Sequence, residues 1–265
     1  MAFIEVEFFS HALNMAVTAD VLLPQKTTRE IGIDARQRPN GTAPVLWLLH
    51  GASDDHTTWQ RRTSVERYVA PIGLAVVMPA VHLSSYADMA HGGRFYEYVA
   101  YELPEIMRSF FPLSSRREDN YVAGNSMGGF GAMKIGINNP DRYSVIGCFS
   151  AGAESAKTLA ERKTRPGALG GKRYRMIYGD MELVGSINDV WHQAEANAGR
   201  AALPRIFHTC GIDDFLIEQA RSTRDFFESL PGDPYGYVYR EYPGIHEWDY
   251  WDAHLPEFLE FILEN

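Results

Sequence analysis

The sequence predicts an α/β fold, in which helices cover a mostly parallel sheet. Several short runs rich in β-branched residues end in glycine or proline and alternate with longer helical patterns, as expected of strand–helix–strand units. The runs are apolar almost throughout, which is typical of central strands buried on both faces. We therefore predict strands at residues 45–51, 74–80, 121–124, 144–150 and 205–211.

The N-terminal segment has a different pattern. Residues 4–10 (IEVEFFS) and 15–24 (MAVTADVLLP) largely alternate between polar and apolar side chains. This alternation predicts two antiparallel strands joined as a hairpin. The polar stretch 25–42 is expected to be a loose connection from the hairpin to the first buried strand.

Helical patterns fill most of the remaining chain. In the first, Thr63 precedes Glu66 by three residues, which predicts a capping box. In the second, Pro104 predicts a kink. The predicted helices cover residues 63–73, 94–112, 127–140, 217–232 and 251–265.

Residues 151–204 form the least patterned region. An insertion of that length within a compact α/β domain is more often a cap over a site than a second folding unit. We predict a single domain over residues 1–265, with 151–204 as a small cap-like insertion over the active site.

Composition narrows the class of protein. A formal net charge of -9 argues against a nucleic-acid partner, since such binding depends on clustered Lys and Arg. The one basic cluster, residues 163–175, is predicted to be a solvated loop, with an anion site as the alternative. No apolar run approaches the ~18 residues that span a bilayer, and Glu5 and Glu7 are not typical of a secretion signal. Cys148 and Cys210 lie in apolar runs, which predicts buried thiols and a cytoplasmic, reducing location.

A glycine-rich stretch carries the first chemical motif. Gly124, Asn125, Ser126, Met127 and Gly128 fit the pattern G-x-S-x-G between a predicted strand and a predicted helix. In one large enzyme class this pattern is a sharp turn that exposes a serine hydroxyl as nucleophile. The alternative is an ordinary polar residue in a glycine-rich turn.

A serine nucleophile requires a histidine base that is held by a carboxylate. His246 is the best placed, because it follows a strand-like segment and precedes the last helix. Asp213 and Asp214 directly follow a predicted strand and come between the serine and this histidine, and the pattern alone does not choose between them. His50 is expected to have a role in its loop, and His208 is expected to be a core residue.

An oxyanion hole needs two backbone N–H groups, one of them from the residue after the nucleophile. That residue is Met127, which also begins a predicted helix. The second amide is expected in the loop after the strand at 45–51, where Ala52 is the candidate.

Six motifs follow one another in a fixed order along the chain: LLHGASDDHTTWQRRTSVERYV, VVMPA, YELPEIMRSFFP, GNSMGGFGAMKIG, CGIDDFL and GIHEWDYWDAHLPEFLEFI. Together they resemble a known family, the tributyrin esterase branch of the esterase D group, which also holds S-formylglutathione hydrolases and feruloyl and acetyl-xylan esterases. The resemblance extends from about residue 4 to 263 and is weak only within 151–204.

The resemblance implies an α/β-hydrolase fold and a serine carboxylesterase that cleaves short-chain acyl esters with neither metal nor organic cofactor. It places the nucleophile at Ser126, the base at His246 and the acid at Asp214, and the oxyanion amides at Ala52 and Met127. The implied partner is a small-molecule ester, and homo-oligomer formation is left open.

The substrate pocket is less well defined by the sequence. Trp59, Asp88 and Trp248 are the candidate pocket residues, and Trp59, Tyr86, Trp191 and Trp248 are candidates either for stacking on a sugar or an aromatic acid or for packing. The alternative functions are a carbohydrate acetyl or feruloyl esterase, an S-formylglutathione thioesterase, and an inert hydrolase scaffold used for binding.

Overall fold

A computed structural model describes residues 1–27, 31, 34–39, 41–166 and 170–264. One eight-stranded sheet has the order β1-β2-β4-β3-β5-β6-β7-β8. Its first two pairings, β1 with β2 and β2 with β4, are antiparallel and the rest are parallel, so the predicted mostly parallel sheet and N-terminal hairpin are confirmed. The strands are β1 Ala2–Ser10, β2 Met15–Leu23, β3 Val45–Leu49, β4 Ala75–Pro79, β5 Asn120–Asn125, β6 Val145–Phe149, β7 Arg205–Gly211 and β8 Val238–Tyr242.

Helices lie on both faces of this sheet. Alternate residues of β3 belong to two different apolar cores: Val45, Trp47 and Leu49 to the core under α5, and Leu46 and Leu48 to the core under α10. This explains the continuous apolar runs, because neither face of a central strand meets water. The helices are α1 Thr58–Arg62, α2 Val65–Val69, α3 Phe95–Glu97, α4 Leu103–Phe110, α5 Met127–Asn138, α6 Ala156–Thr164, α7 Gly171–Tyr178, α8 Val190–Asn197, α9 Ile217–Ser229 and α10 Trp248–Leu263.

Pro104 interrupts the helix predicted over residues 94–112. The segment Tyr98–Glu102 between α3 and α4 is a π-helical turn, and Pro104 follows it in the first turn of α4. Proline has no N–H to donate and its ring crowds the carbonyl four residues earlier. That carbonyl, of Ala100, accepts a hydrogen bond from Arg142 at 3.1 Å instead.

The predicted capping box is wrong. Thr63 is the C-cap of α1, where its N–H donates to the Trp59 carbonyl, and its hydroxyl accepts from the Val65 N–H only two residues on. The Glu66 carboxylate accepts from the Gln60 side chain. Two short helices therefore meet here, and the threonine ends the first of them.

The basic cluster at 163–175 is not a solvated loop throughout. Its first residues end α6 and its last residues belong to α7, while 167–169 lie outside the described residues. α7 contributes Arg173 to the cavity beside Ser126. The prediction failed because a charged run on a short helix has the same composition as a solvated loop.

The two cysteines agree with their prediction as buried free thiols. Among the described residues, no helix combines the length and the apolar character needed to cross a membrane.

The strand β5 and the helix α5 pack unusually close to β3. A Cβ placed on Gly128 would lie 2.3 Å from the Leu49 carbonyl oxygen, and one on Gly124 would lie 2.6 Å from the same oxygen. Backbone atoms of a central strand have little freedom to move aside. Both glycines are therefore required by close approach of the main chains.

We expect Gly128→Ala to lower the free energy of unfolding by about 1–3 kcal/mol, because of overpacking against β3. An ordinary helical position would instead gain up to ~1 kcal/mol from this change. Gly199→Ala is the matched control, since a Cβ there meets nothing within 4 Å. Urea unfolding of the three proteins measures the difference, and equal stability of the two variants would contradict this account.

Candidate active site

Ser126 occupies a strained turn between β5 and α5. Its φ of 52° and ψ of -119° are a conformation that costs a non-glycine residue about 1–3 kcal/mol. The Ser126 N–H donates to the Phe149 carbonyl of β6 at 2.8 Å, and its own carbonyl accepts from Phe130 at 3.1 Å. These bonds hold the turn at the carboxyl ends of β5 and β6, where an open α/β sheet carries its sites.

His246 lies in the loop between β8 and α10. Its Nε2 is 2.9 Å from the Ser126 Oγ, and its Nδ1 is 2.9 Å from Oδ2 and 3.0 Å from Oδ1 of Asp214. With Nδ1–H donating to the carboxylate, Nε2 is left to accept the serine proton. The structure thus joins three side chains from distant parts of the chain by hydrogen bonds.

Asp214, and not Asp213, contacts the histidine. The Asp214 side chain is fully buried, whereas Asp213 is exposed and its N–H donates to the Gly244 carbonyl. Burial alone would raise the pKa of Asp214, but hydrogen bonds from His246 and from the Leu216 N–H outweigh it, so that the net pKa lies below its ordinary value. The carboxylate is therefore ionised at neutral pH.

Two aromatic rings fix the imidazole. Phe215 lies over it with ring centroids 4.3 Å apart, and Trp251 meets it edge-on at 5.1 Å. Phe215 is 76% exposed, so one face of His246 is covered by a side chain that itself faces solvent.

The loop after β3 lies directly against the serine. A Cβ placed on Gly51 would be 3.5 Å from the Ser126 Cβ, and Ala52 lines the same cavity as Ser126 and Met127. Met127 is the first residue of α5, a position whose amide has no partner within the helix.

His50 holds this loop in place. Its Nε2 accepts a hydrogen bond from the Val81 N–H at 3.0 Å, so the proton is on Nδ1 and is donated to the Gly51 carbonyl at 2.7 Å. Burial lowers the pKa of His50 to about 4. A neutral imidazole therefore links the loop that carries Ala52 to the end of β4, in agreement with the loop role predicted for His50.

His208 is fully buried in β7, as predicted. Its ring nitrogens meet the Tyr237 hydroxyl and the Ala151 carbonyl.

A cavity of about 200 Å³ opens beside the serine. Its most polar wall is Arg173, which donates to the Leu83 carbonyl, the Ser85 hydroxyl and the Met127 sulfur at 2.9–3.1 Å. The cavity is lined by Ala52, Ser85, Ser126, Met127, Phe130, Ala151, Glu154, Arg162, Arg173, Tyr174, Phe215, Leu216 and Gln219.

A second cavity of about 400 Å³ adjoins the first, and the two share Arg162, Phe215, Leu216 and Gln219. Trp191 lines this second cavity and stacks on Phe226, with the ring centroids 4.5 Å apart. Of the aromatic residues weighed for stacking on substrate, Trp191 alone lines either of these two cavities.

The three predicted pocket residues lie elsewhere. Trp59 is 1% exposed and donates its indole N–H to the Leu49 carbonyl, and Trp248 packs edge-on against it at 5.1 Å. Asp88 accepts a hydrogen bond from the Glu97 N–H. Tyr86 is fully buried and donates to the His50 carbonyl. These side chains support the loops around the site without lining the cavity.

Sequence reasoning missed the polar residues of the cavity wall. Glu154, Arg162, Arg173 and Tyr174 all come from the weakly patterned region 151–204, where no motif distinguishes them. Phe215 carried a usable signal, because it is an aromatic residue directly after the predicted acid.

The sheet order, the strained serine after β5 and the histidine after β8 define an α/β-hydrolase fold of the serine hydrolase class. The chain belongs to the putative esterase family, which matches residues 10–262. It is a serine hydrolase that acts on carboxylic ester bonds.

Individual relatives agree with this assignment. An acetyl esterase of Caldicellulosiruptor saccharolyticus is 28% identical over 99% of this chain and 98% of its own length. An S-formylglutathione hydrolase of Paracoccus denitrificans is 31% identical over 52% of this chain and 55% of its own length.

Solved structures are similar over the whole chain. The fluorophosphonate-binding serine hydrolase F (FphF) of Staphylococcus aureus superposes with a TM-score of 0.83 at 29% identity, covering 100% of this chain and 99% of that one. The S-formylglutathione hydrolase FrmB of the same organism superposes with a TM-score of 0.79 at 29% identity, with 99% of each chain covered. A ferulic acid esterase with 21% identity shares the fold, with a TM-score of 0.77 over 98% of this chain and 97% of that one.

Asp214→Asn is expected to lower kcat by about 10⁴, because an amide no longer holds the required imidazole tautomer. Asp213→Asn, its exposed neighbour, is the control and should change kcat by less than about twofold. Hydrolysis of p-nitrophenyl acetate measures both. A large loss in the Asp213 variant, or little loss in the Asp214 variant, would reverse the assignment of the acid.

Proposed function

We propose that this protein hydrolyses short-chain carboxylic esters through an acyl-serine intermediate formed on Ser126. The observation that carries the proposal is the continuous chain of hydrogen bonds from Ser126 through His246 to Asp214, at 2.9–3.0 Å. The strained turn supports it, since strain of this kind is retained where it positions a reacting group.

In the first step, Ser126 Oγ attacks the ester carbonyl while His246 Nε2 takes the hydroxyl proton. The resulting oxyanion is stabilised by the backbone amides of Met127 and Ala52. His246 then returns the proton to the departing alcohol, and the acyl group remains on the serine. Water, deprotonated by His246, attacks the acyl-serine by the same route and releases the acid. Asp214 stabilises the imidazolium in both halves.

The size of the cavity supports a short acyl group. Its volume of about 200 Å³ is below the ~300–1,000 Å³ typical of sites for drug-sized ligands. Phe130, Ala151 and Leu216 supply apolar surface for a few methylene groups. A bulkier alcohol has room in the adjoining cavity that Trp191 lines.

Ser126→Ala is expected to reduce turnover of p-nitrophenyl acetate by about 10⁴ or more. Treatment with a fluorophosphonate should add one phosphonyl group to the wild-type chain, with loss of fluoride, and none to the variant. Ser109→Ala, a change at an exposed serine of α4, should behave as wild type in both assays. Near-native turnover or an adduct in the Ser126 variant would contradict the assignment.

Arg173 favours a second candidate function, the hydrolysis of an acyl donor that carries an anionic group. The Glu154 carboxylate forms an ion pair with the Arg162 guanidinium at 2.7 Å. None of the described carboxylates lies within 4.0 Å of the Arg173 guanidinium. A cation without an acidic partner in a cavity is suited to a carboxylate on the substrate. S-formylglutathione is a thioester that bears free carboxylates, and the same chemistry would cleave it.

Arg173→Gln is expected to lower kcat/KM for S-formylglutathione by about 10–100-fold, as one hydrogen bond to a charged group is lost. The S-formyl derivative of glutathione diethyl ester, which lacks the carboxylates, should lose much less. Lys172→Gln, the exposed neighbour on α7, controls for a general loss of positive charge. Equal losses on both substrates would assign Arg173 to the support of the Ser85 loop alone.

A further inference from the structure

A cluster of three titratable side chains lies where the N-terminal hairpin meets the loop that follows β3. One carboxylate oxygen each of Glu5 and Asp20 and one ring nitrogen of His56 lie within 4.8 Å of one another. None of the three lines the cavity beside Ser126. The proposed esterase mechanism therefore does not account for them.

The two carboxylates face each other across the hairpin. Glu5 of β1 is directly opposite Asp20 of β2 in the antiparallel register, so both side chains project from the same face of the sheet. Like charges in this relation are destabilising. A cation between the two carboxylates would relieve this repulsion.

One carboxylate oxygen of the buried Asp20 has no hydrogen-bond partner among the described residues. Asp20 is 1% exposed, and its Oδ1 has no hydrogen-bond partner within the part of the chain that the structure describes. Buried carboxylates are otherwise paired or coordinate metals.

His56 completes the cluster from a loop that its neighbour fixes. Asp55 accepts hydrogen bonds from the Thr57 N–H, the Thr57 hydroxyl and the Thr58 hydroxyl, so its carboxylate shapes the loop. The His56 Nε2 is 3.9 Å from Glu5 Oε2. Its Nδ1 is buried and, within the described residues, has no hydrogen-bond partner.

We propose that Glu5, Asp20 and His56 form a binding site for a divalent cation of the Zn²⁺ class. One imidazole nitrogen and two carboxylate oxygens are ligands that Zn²⁺ accepts, with water in the fourth position. The nitrogen ligand favours Zn²⁺ over Mg²⁺ or Ca²⁺, which prefer oxygen.

The geometry needs only a small adjustment. Ligand atoms of a tetrahedral zinc site, with bonds of about 2.0–2.2 Å, lie roughly 3.3–3.6 Å apart. Closing the present separations of up to 4.8 Å requires movements of about 1 Å. The Glu5 side chain, which is 66% exposed, is free to make them, while Asp20 and His56 are already held by burial.

The cation would link three segments of the chain. Glu5 lies on β1, Asp20 on β2, and His56 on the loop after β3 that also carries the oxyanion candidate Ala52. Binding to the folded chain alone stabilises it in proportion to ligand concentration. The expected role is therefore to anchor this loop to the hairpin.

The test is calorimetric titration of the EDTA-treated and dialysed full chain with ZnCl₂. Wild type is expected to bind one equivalent more than Asp20→Asn and His56→Gln, and its unfolding temperature should rise by about 5 °C at a hundredfold excess over Kd. Glu7→Gln is the matched control, because Glu7 is exposed on β1 and lies opposite Thr18. It should keep the extra equivalent.

Circular dichroism establishes that each variant is folded. Because His56 is partly exposed, His56→Gln decides the question if Asp20→Asn unfolds. Equal stoichiometry in wild type and His56→Gln, or a wild type that binds no zinc, would overturn the proposal and assign His56 as a simple counter-ion to the two carboxylates.

Discussion

The approach of α5 to β3 is the constraint on which the site depends. A Cβ added to Gly128 would lie 2.3 Å from the Leu49 carbonyl oxygen. The first turn of the helix therefore lies directly on the neighbouring strand. In the turn between β5 and α5, Ser126 adopts a φ of 52°. Bonds to Phe149 and Phe130 then hold the strained residue, and the loops carrying His246 and Ala52 meet it there.

The polar groups around this turn are arranged so that burial and hydrogen bonding offset each other. Asp214 is fully buried yet keeps its charge, since the histidine and a backbone amide both donate to it. Lys134 of α5 is also completely buried, and its ammonium donates to the Ser85 and Tyr86 carbonyls and to Asn188. Helix α5, which follows Ser126, is thereby tied to the loop that carries the Ser85 contact of Arg173.

Much of the fold could be predicted because it is encoded locally. The parallel strands are short apolar runs with clear ends, and β7 begins and ends at the predicted residues, 205 and 211. The order of Ser126, Asp214 and His246 could also be predicted, since each follows a strand, and the structure brings their side chains within hydrogen-bond distance.

The residues that could not be predicted depend on contacts between distant segments. Trp59 fitted a pocket by residue type, but its environment is set by Trp248 and Phe149 far along the chain. Arg162 and Arg173 both lie among other basic residues in the sequence, but Glu154 forms an ion pair with Arg162. Asp20 has the position of an ordinary polar residue in an alternating strand, yet in the fold β4 pairs beside it and it is buried.

The neutral His50 affects how the enzyme's pH dependence is to be interpreted. Since its pKa is about 4 and that of Asp214 is lowered, neither group changes charge between about pH 5 and 8. The two hydrogen bonds by which His50 holds the loop that carries Ala52 therefore stay the same throughout this range. A change in rate within it reports on groups other than His50 and Asp214.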